Sequence, residues 1–139
     1  MKQFDDENIR REGEEAGAIA DMGDRAEIGV RRGPITRLYT ELAGAAVDHA
    51  HPANPYFQGR WARSLHVVST DIARLQRERV VPNSVDPHHA ARAILAAWEG
   101  FQYQWLHGPE FDIRHELEAT ICDVLRISTV PAPDRGNSA

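Results

Sequence analysis

Three groupings of polar side chains in this 139-residue chain could do chemistry, and each depends on the backbone that would hold it. Seven histidines raise the question of a metal. His49 and His51 share a loop-like stretch, and His88 and His89 are adjacent near the start of a helical pattern. Neighbouring residues on a helix point about 100° apart, so His88 and His89 cannot chelate one ion together from a regular helix. No HExxH or CxxC spacing occurs, and surface or capping roles account for the histidines better than a metal site. His66 and Ser69, three apart, share a helical face, but Asp71 lies elsewhere on the wheel, so no nucleophilic triad forms locally. Glu99 and His107 are a second acid–base candidate. The chain has no nucleophile elbow, phosphate loop or dinucleotide fingerprint, so neither an enzyme nor a cofactor is expected.

The elements that would position these groups are helical wherever the periodicity is clear. Asp86-Pro87 reads as an N-cap followed by proline at the first helical position, and Gly108-Pro109 as the stop, which predicts a helix over 87–107. Pro87, Ala91, Ile94, Trp98, Phe101 and Trp105 form its large stripe, and Ala90, Ala93, Ala97, Gly100 and Gln104 a second stripe of small residues. A helix apolar on two faces needs two partners. Upstream, Pro34 starts a helix of about 14 residues with Ile35, Leu38 and Leu42 on one face. After a loop at 48–55 comes a helix over about 56–79, with Phe57, Trp61, Leu65, Val68, Ile72 and Leu75 as its buried stripe. Asp112 caps the last helix, whose apolar face carries Ile113, Leu117, Ile121, Val124 and Leu125. Residues 3–20 and 24–31 read as weak, polar helices.

These words, in this order, resemble the C-terminal ligand-binding and dimerisation domain of TetR-type transcriptional regulators. The resemblance is carried by Asp86-Pro87, Ala90-Ala91-Arg92 and Gly100-Phe101-Gln102-Tyr103-Gln104-Trp105-Leu106. It continues upstream in Leu38-Tyr39-Thr40-Glu41-Leu42, His51-Pro52, Tyr56-Phe57 and Arg60-Trp61, and spans roughly residues 34 to 127. It implies an all-α domain of about five or six helices, dimerising through a four-helix bundle built from the last two helices of each copy. It further implies a pocket for a small apolar or amphipathic ligand, walled by Trp61, Leu65, Trp98 and Phe101, with His66, Ser69 and Gln102 as polar groups. Tyr103 could supply another, while plain core and interface packing is the simpler account of each aromatic. The homodimer seam would use Ala93, Ala97, Gly100 and Gln104, with Ile113, Leu117, Ile121 and Val124. The alternative is a free-standing helical interaction module without a ligand, or an antagonist of a full-length regulator.

Nothing in residues 1–33 matches the helix-turn-helix that opens such regulators; that segment is charged and Gly/Ala-rich. The expected organisation is therefore a charged, partly helical segment at 1–33, the TetR-like body at 34–128 and a disordered Pro/Gly/Ser-rich tail at 129–139. Sixteen Lys+Arg against 21 Asp+Glu give a net charge of −5, a poor match to a phosphate backbone, so direct DNA binding is not expected. A single cysteine, Cys122, excludes an intramolecular disulfide and fits a cytoplasmic location. No stretch of 18 apolar residues is present, so no membrane span is expected, and the first residues lack the apolar core of a signal peptide.

Overall fold

In the structure, a computed structural model that describes residues 17–108 and 110–133, the chain is all-helical. Among the described residues there are five helices: α1 (Ala18–Arg31), α2 (Gly33–Ala45), α3 (Asn54–Arg77), α4 (Pro87–His107) and α5 (Ile113–Leu125). The expectations for residues 1–16, Pro109 and residues 134–139 lie outside the described residues.

The local signals for α4 and α5 act as their chemistry requires. The Asp86 carboxylate accepts the backbone N–H groups of His88 (3.0 Å) and His89 (3.4 Å), two donors that the first turn of α4 would otherwise leave unsatisfied. Asp112 does the same for His115 N–H at 3.1 Å. The turn between α3 and α4 is pinned by Gln76, whose Nε2 donates to the Val85 carbonyl at 2.6 Å and to Pro82 at 3.1 Å. Val81 and Val85 are thereby held in the core.

The start of α1 is capped from another element. Gly17, its N-cap, has φ of +123°, a conformation that L side chains rarely adopt, and offers no side chain to cap with. Asp71 of α3 supplies the missing acceptor. Gly17 N–H donates to Asp71 Oδ1 at 3.1 Å and Ile19 N–H to Oδ2 at 3.0 Å. Arg74 Nε donates to Oδ1 at 2.9 Å and in turn pairs with Glu78. Asp71 is only 5% exposed, so its charge is compensated by two helix-terminal donors and a guanidinium rather than by water.

Around this anchor the molecule has a tight end and an open end. At the tight end Ile19, Met22 and Ala26 of α1 join Val68, Ile72 and Leu75 of α3, Ala90, Ala91 and Ile94 of α4, and Ile113, Leu117, Ile121 and Leu125 of α5. The body therefore begins at α1, not at residue 34. The sequence reading placed residues 18–31 in a charged segment because Asp24, Arg25, Glu27 and Arg31 mask the apolar positions. Gly23 lets α1 approach α5 closely: an added Cβ would lie 2.5 Å from Glu118 Oε1 and 3.2 Å from Arg114 Cγ. Arg114 then bridges the two helices through Glu27 (2.7 Å) and Asp24, holding the guanidinium pKa above its usual value. Beyond α5, Val130 packs on the core, so the beginning of the expected tail lies on the body.

At the open end α2 buries no residue at all, and Ile35 and Leu38 are 67% and 66% exposed. It follows α1 after a single joint at Arg32, and Thr36 Oγ1 donates across that joint to the Gly29 carbonyl at 2.7 Å. Tyr39 meets the edge of Phe57 on α3, with ring centroids 5.4 Å apart.

Asp71→Ala removes the acceptor for two N–H groups at a buried helix start and leaves Arg74 without its closest partner. We expect a loss of about 2–4 kcal/mol, read as a fall in Tm of roughly 5–15 °C. Glu78→Gln, which removes an exposed pair, should change stability by less than about 1 kcal/mol. Equal effects of the two variants in thermal unfolding would show that the α1 cap carries no special weight.

Candidate functional site

Between α1, α2, the first half of α3 and the second half of α4 lies a cleft of about 430 Å³. This is within the size range of small-molecule sites. One face of α4 forms its floor. Leu95, Trp98, Glu99 and Gln102 recur at i, i+3, i+4 and i+7, which puts them in one row along the helix. Opposite stand Tyr56, Arg60, Trp61 and Ser64 of α3, and the third wall is Ile28, Ile35, Thr36 and Tyr39 of α1 and α2.

The polar groups of the cleft are organised. Arg60 lies over the Tyr39 ring at 5.0 Å and also hydrogen-bonds to it. Gln102 Nε2 donates to Thr40 Oγ1 at 3.3 Å, joining α4 to α2. Burial raises the Glu99 pKa above its ordinary value of 4.5, and the positive charge of Arg60 opposes that rise without cancelling it. Burial likewise raises the Tyr39 pKa; Arg60 pulls it down and Glu99 pushes it up. The cleft thus combines aromatic walls with the guanidinium groups of Arg25, Arg32 and Arg60, one carboxyl whose pKa burial raises, and an amide held by a hydroxyl.

Of the residues expected to bind a ligand, Trp61, Trp98 and Gln102 line this cleft together. Trp61 stands at its rim, 41% exposed. The other four do not line it. Leu65 and Phe101 pack against the core, Phe101 with its ring 6.4 Å from that of Phe111. His66 faces solvent, and the buried Ser69 returns its hydroxyl to the His66 carbonyl at 3.2 Å, within its own helix. The four lie apart from the cleft for a geometric reason: the core side of α3 holds Leu65, Val68 and Ile72, whereas Trp61 lies nearer its start, beside α2. Tyr39, Arg60 and Glu99 were not among the residues expected to bind a ligand, although the row Leu95, Trp98, Glu99, Gln102 carries the signal: an apolar helical face that turns polar halfway along. Glu99 with His107 forms no pair; the His107 ring instead meets the Tyr103 carbonyl and ring.

The residues expected at a dimer seam divide in the same way. Ala93, Ala97 and Gly100 are half-exposed on the outer side of α4, Gln104 is exposed, and a Cβ added at Gly100 would meet nothing within 4 Å. Ile113, Leu117 and Ile121 are fully or almost fully buried in the chain's own core, with Val124 packed against it. Those three residues have no surface left to present to a second copy, because α1 covers the apolar face of α5.

Among the described residues no three His, Cys, Asp or Glu side chains are grouped to hold a metal ion, and no helix is long and apolar enough to cross a membrane. Cys122 is half-buried, and its thiol pKa is raised first by burial, then by Asp123 and Glu118. Compared with protein-family models, curated proteins and solved structures, the chain matches none.

A raised Glu99 pKa has a definite consequence for stability. The folded state retains the Glu99 proton to higher pH than the unfolded state does. The associated stabilisation is complete below about 4.5 and is lost as pH rises through the folded-state pKa. Glu99→Gln lacks this loss, so its Tm minus that of the parent should grow as pH rises from 4.5, reaching a few degrees once Glu99 is ionised. Thermal unfolding of both proteins across acid to neutral pH tests this; a constant difference would exclude it.

Proposed function

We propose that this chain is a helical effector-binding body, similar in role to the C-terminal domain of TetR-type regulators, that takes a small apolar or amphipathic molecule and associates as a homodimer. The observation that supports it most is the aromatic cleft, which brings Trp61, Trp98 and Gln102 together between the three helices where the resemblance implied a pocket. Such a site acts by differential affinity. A ligand that bridges α4 and the thinly packed α2 favours arrangements in which the two are close. In this reading the chain performs no catalysis, and its acidic balance of −5 makes direct DNA binding by these residues unfavourable.

A screen of hydrophobic small molecules by tryptophan fluorescence and thermal shift tests the ligand half. A ligand should raise Tm in a concentration-dependent way. Trp98→Ala should weaken that response at least several-fold, while Arg77→Ala, on the exposed end of α3, should leave it unchanged. A screen without a saturable response would remove the support for an effector site.

The homodimer is assigned to the outer stripe of α4, Ala93, Ala97, Gly100 and Gln104, without Ile113, Leu117 or Ile121. Sedimentation at tens of micromolar, roughly where an obligate dimer stays associated, should show a dimer. Gly100→Leu, whose side chain has open space within one subunit, should shift it to monomer without unfolding it. A second reading, an interaction module with no ligand, is favoured by the exposed Ile35, Leu38 and Leu42 on α2. It is supported if the chain dimerises but no small molecule raises its Tm.

A further inference from the structure

The charge around the cleft runs against the charge of the chain. The protein carries −5 overall, yet the ionisable side chains of opposite sign lining the cleft are Arg25, Arg32 and Arg60 against Glu99 alone. A concave site with low-dielectric walls focuses the field of such groups onto whatever enters. Trp61 and Trp98 supply flat apolar surface on two different helices. Arg60 lines the same cleft, its guanidinium over the Tyr39 ring at 5.0 Å. That ring contact orients the guanidinium plane, and a guanidinium has five N–H donors in a fork that matches a carboxylate.

We propose that the cleft selects small planar aromatic carboxylates, the ring seated against Trp61 and Trp98 and the carboxylate taken by Arg60. The inference rests on the reading of the cleft as a ligand site and adds to it the sign of the ligand's charge. Glu99 is the only acid in the lining, and burial raises its pKa, which weakens its opposition to a second carboxylate. A cationic ligand would meet three arginines with only Glu99 to attract it, and Glu99 already interacts with Arg60. The size of the cleft, about 430 Å³, suits a one- or two-ring compound.

Three probes with the same bicyclic ring and different charge isolate the effect: 1-naphthoate, 1-naphthylmethanol and 1-naphthylmethylammonium. Each is titrated into the full chain at pH 7 and followed by tryptophan fluorescence and calorimetry. 1-Naphthoate should bind about tenfold more tightly than the alcohol, and the ammonium compound more weakly than either. Added salt should reduce the preference for 1-naphthoate. Arg60→Gln should abolish the preference for 1-naphthoate over the alcohol, lowering 1-naphthoate by a much larger factor than the alcohol. Arg60→Lys, which keeps the charge and loses the fork, should retain part of the preference and guards against a folding effect of the first variant. Equal binding of the three probes, or tighter binding of the ammonium compound, overturns the charge assignment while the cleft remains a ligand site. If none binds, the cleft is not a site for such molecules, and this inference falls with that reading.

Discussion

The buried carboxylate of Asp71 sets the relation of α1 to everything else. A helix start has backbone donors with no intrahelical acceptor, and Gly17 brings no side chain to satisfy them. Asp71 reaches from the last two turns of α3 to take two of those donors, and Arg74 balances the remaining charge. A carboxylate buried to this degree is tolerable only when its acceptor positions are filled, so the interaction is specific in direction as well as in place. It fixes where α1 begins and hence which of its faces meets α5. That face holds Gly23 for close approach and Asp24 and Glu27 for Arg114. Through the joint at Arg32 it also fixes where α2 sets out, and with that the third wall of the cleft.

The two ends of the molecule are stabilised unequally, and the cleft follows from that difference. Four helices pack around isoleucines and leucines with almost no residual exposure at one end. At the other, α2 is held by an edge-on aromatic contact, one hydroxyl across its joint with α1, and one amide–hydroxyl bond to Gln102. Elements with little buried apolar area open at low free-energy cost, and binding sites that must admit and release a ligand are drawn from them. Large side chains at the tight end and a thinly packed α2 at the open end leave a cleft with a well-packed floor and one sparsely packed wall.

Much of the architecture was legible before any coordinates. The bounds of α4 follow from Asp86-Pro87 and Gly108, and the start of α5 from Asp112, because capping chemistry is local and needs only a few adjacent residues. Of the stripe Phe57, Trp61, Leu65, Val68, Ile72 and Leu75, four residues are buried as the spacing requires, while Leu65 is partly buried and Trp61 is 41% exposed. The row containing Trp98 and Gln102 could be drawn from the 3.6-residue period alone. These are properties of single helices, and a helix carries its own period and its own ends.

Which surface covers each stripe is a different question, and tertiary structure decided it. On the sequence Ile113, Leu117 and Ile121 belong to the expected dimer seam. They became core because α1, written off as a charged segment, brings Ile19, Met22 and Ala26 onto them. Asp71 read as a stray acid on the wheel, and its role appears only when Gly17, 54 positions away, is beside it. Tyr39, Arg60 and Glu99 come from three helices and have no spacing in common. Periodicity states which residues share a face; it carries no information about partners far along the chain. Here the sequence determined α2 to α5 and their apolar faces, but broke α1, a continuous helix over Ala18–Arg31, into two weak helices at 3–20 and 24–31. The pairing of those faces, the cap on α1 and the polar interior of the cleft were decided by contacts between distant segments, where burial and charge compensation act and local spacing does not.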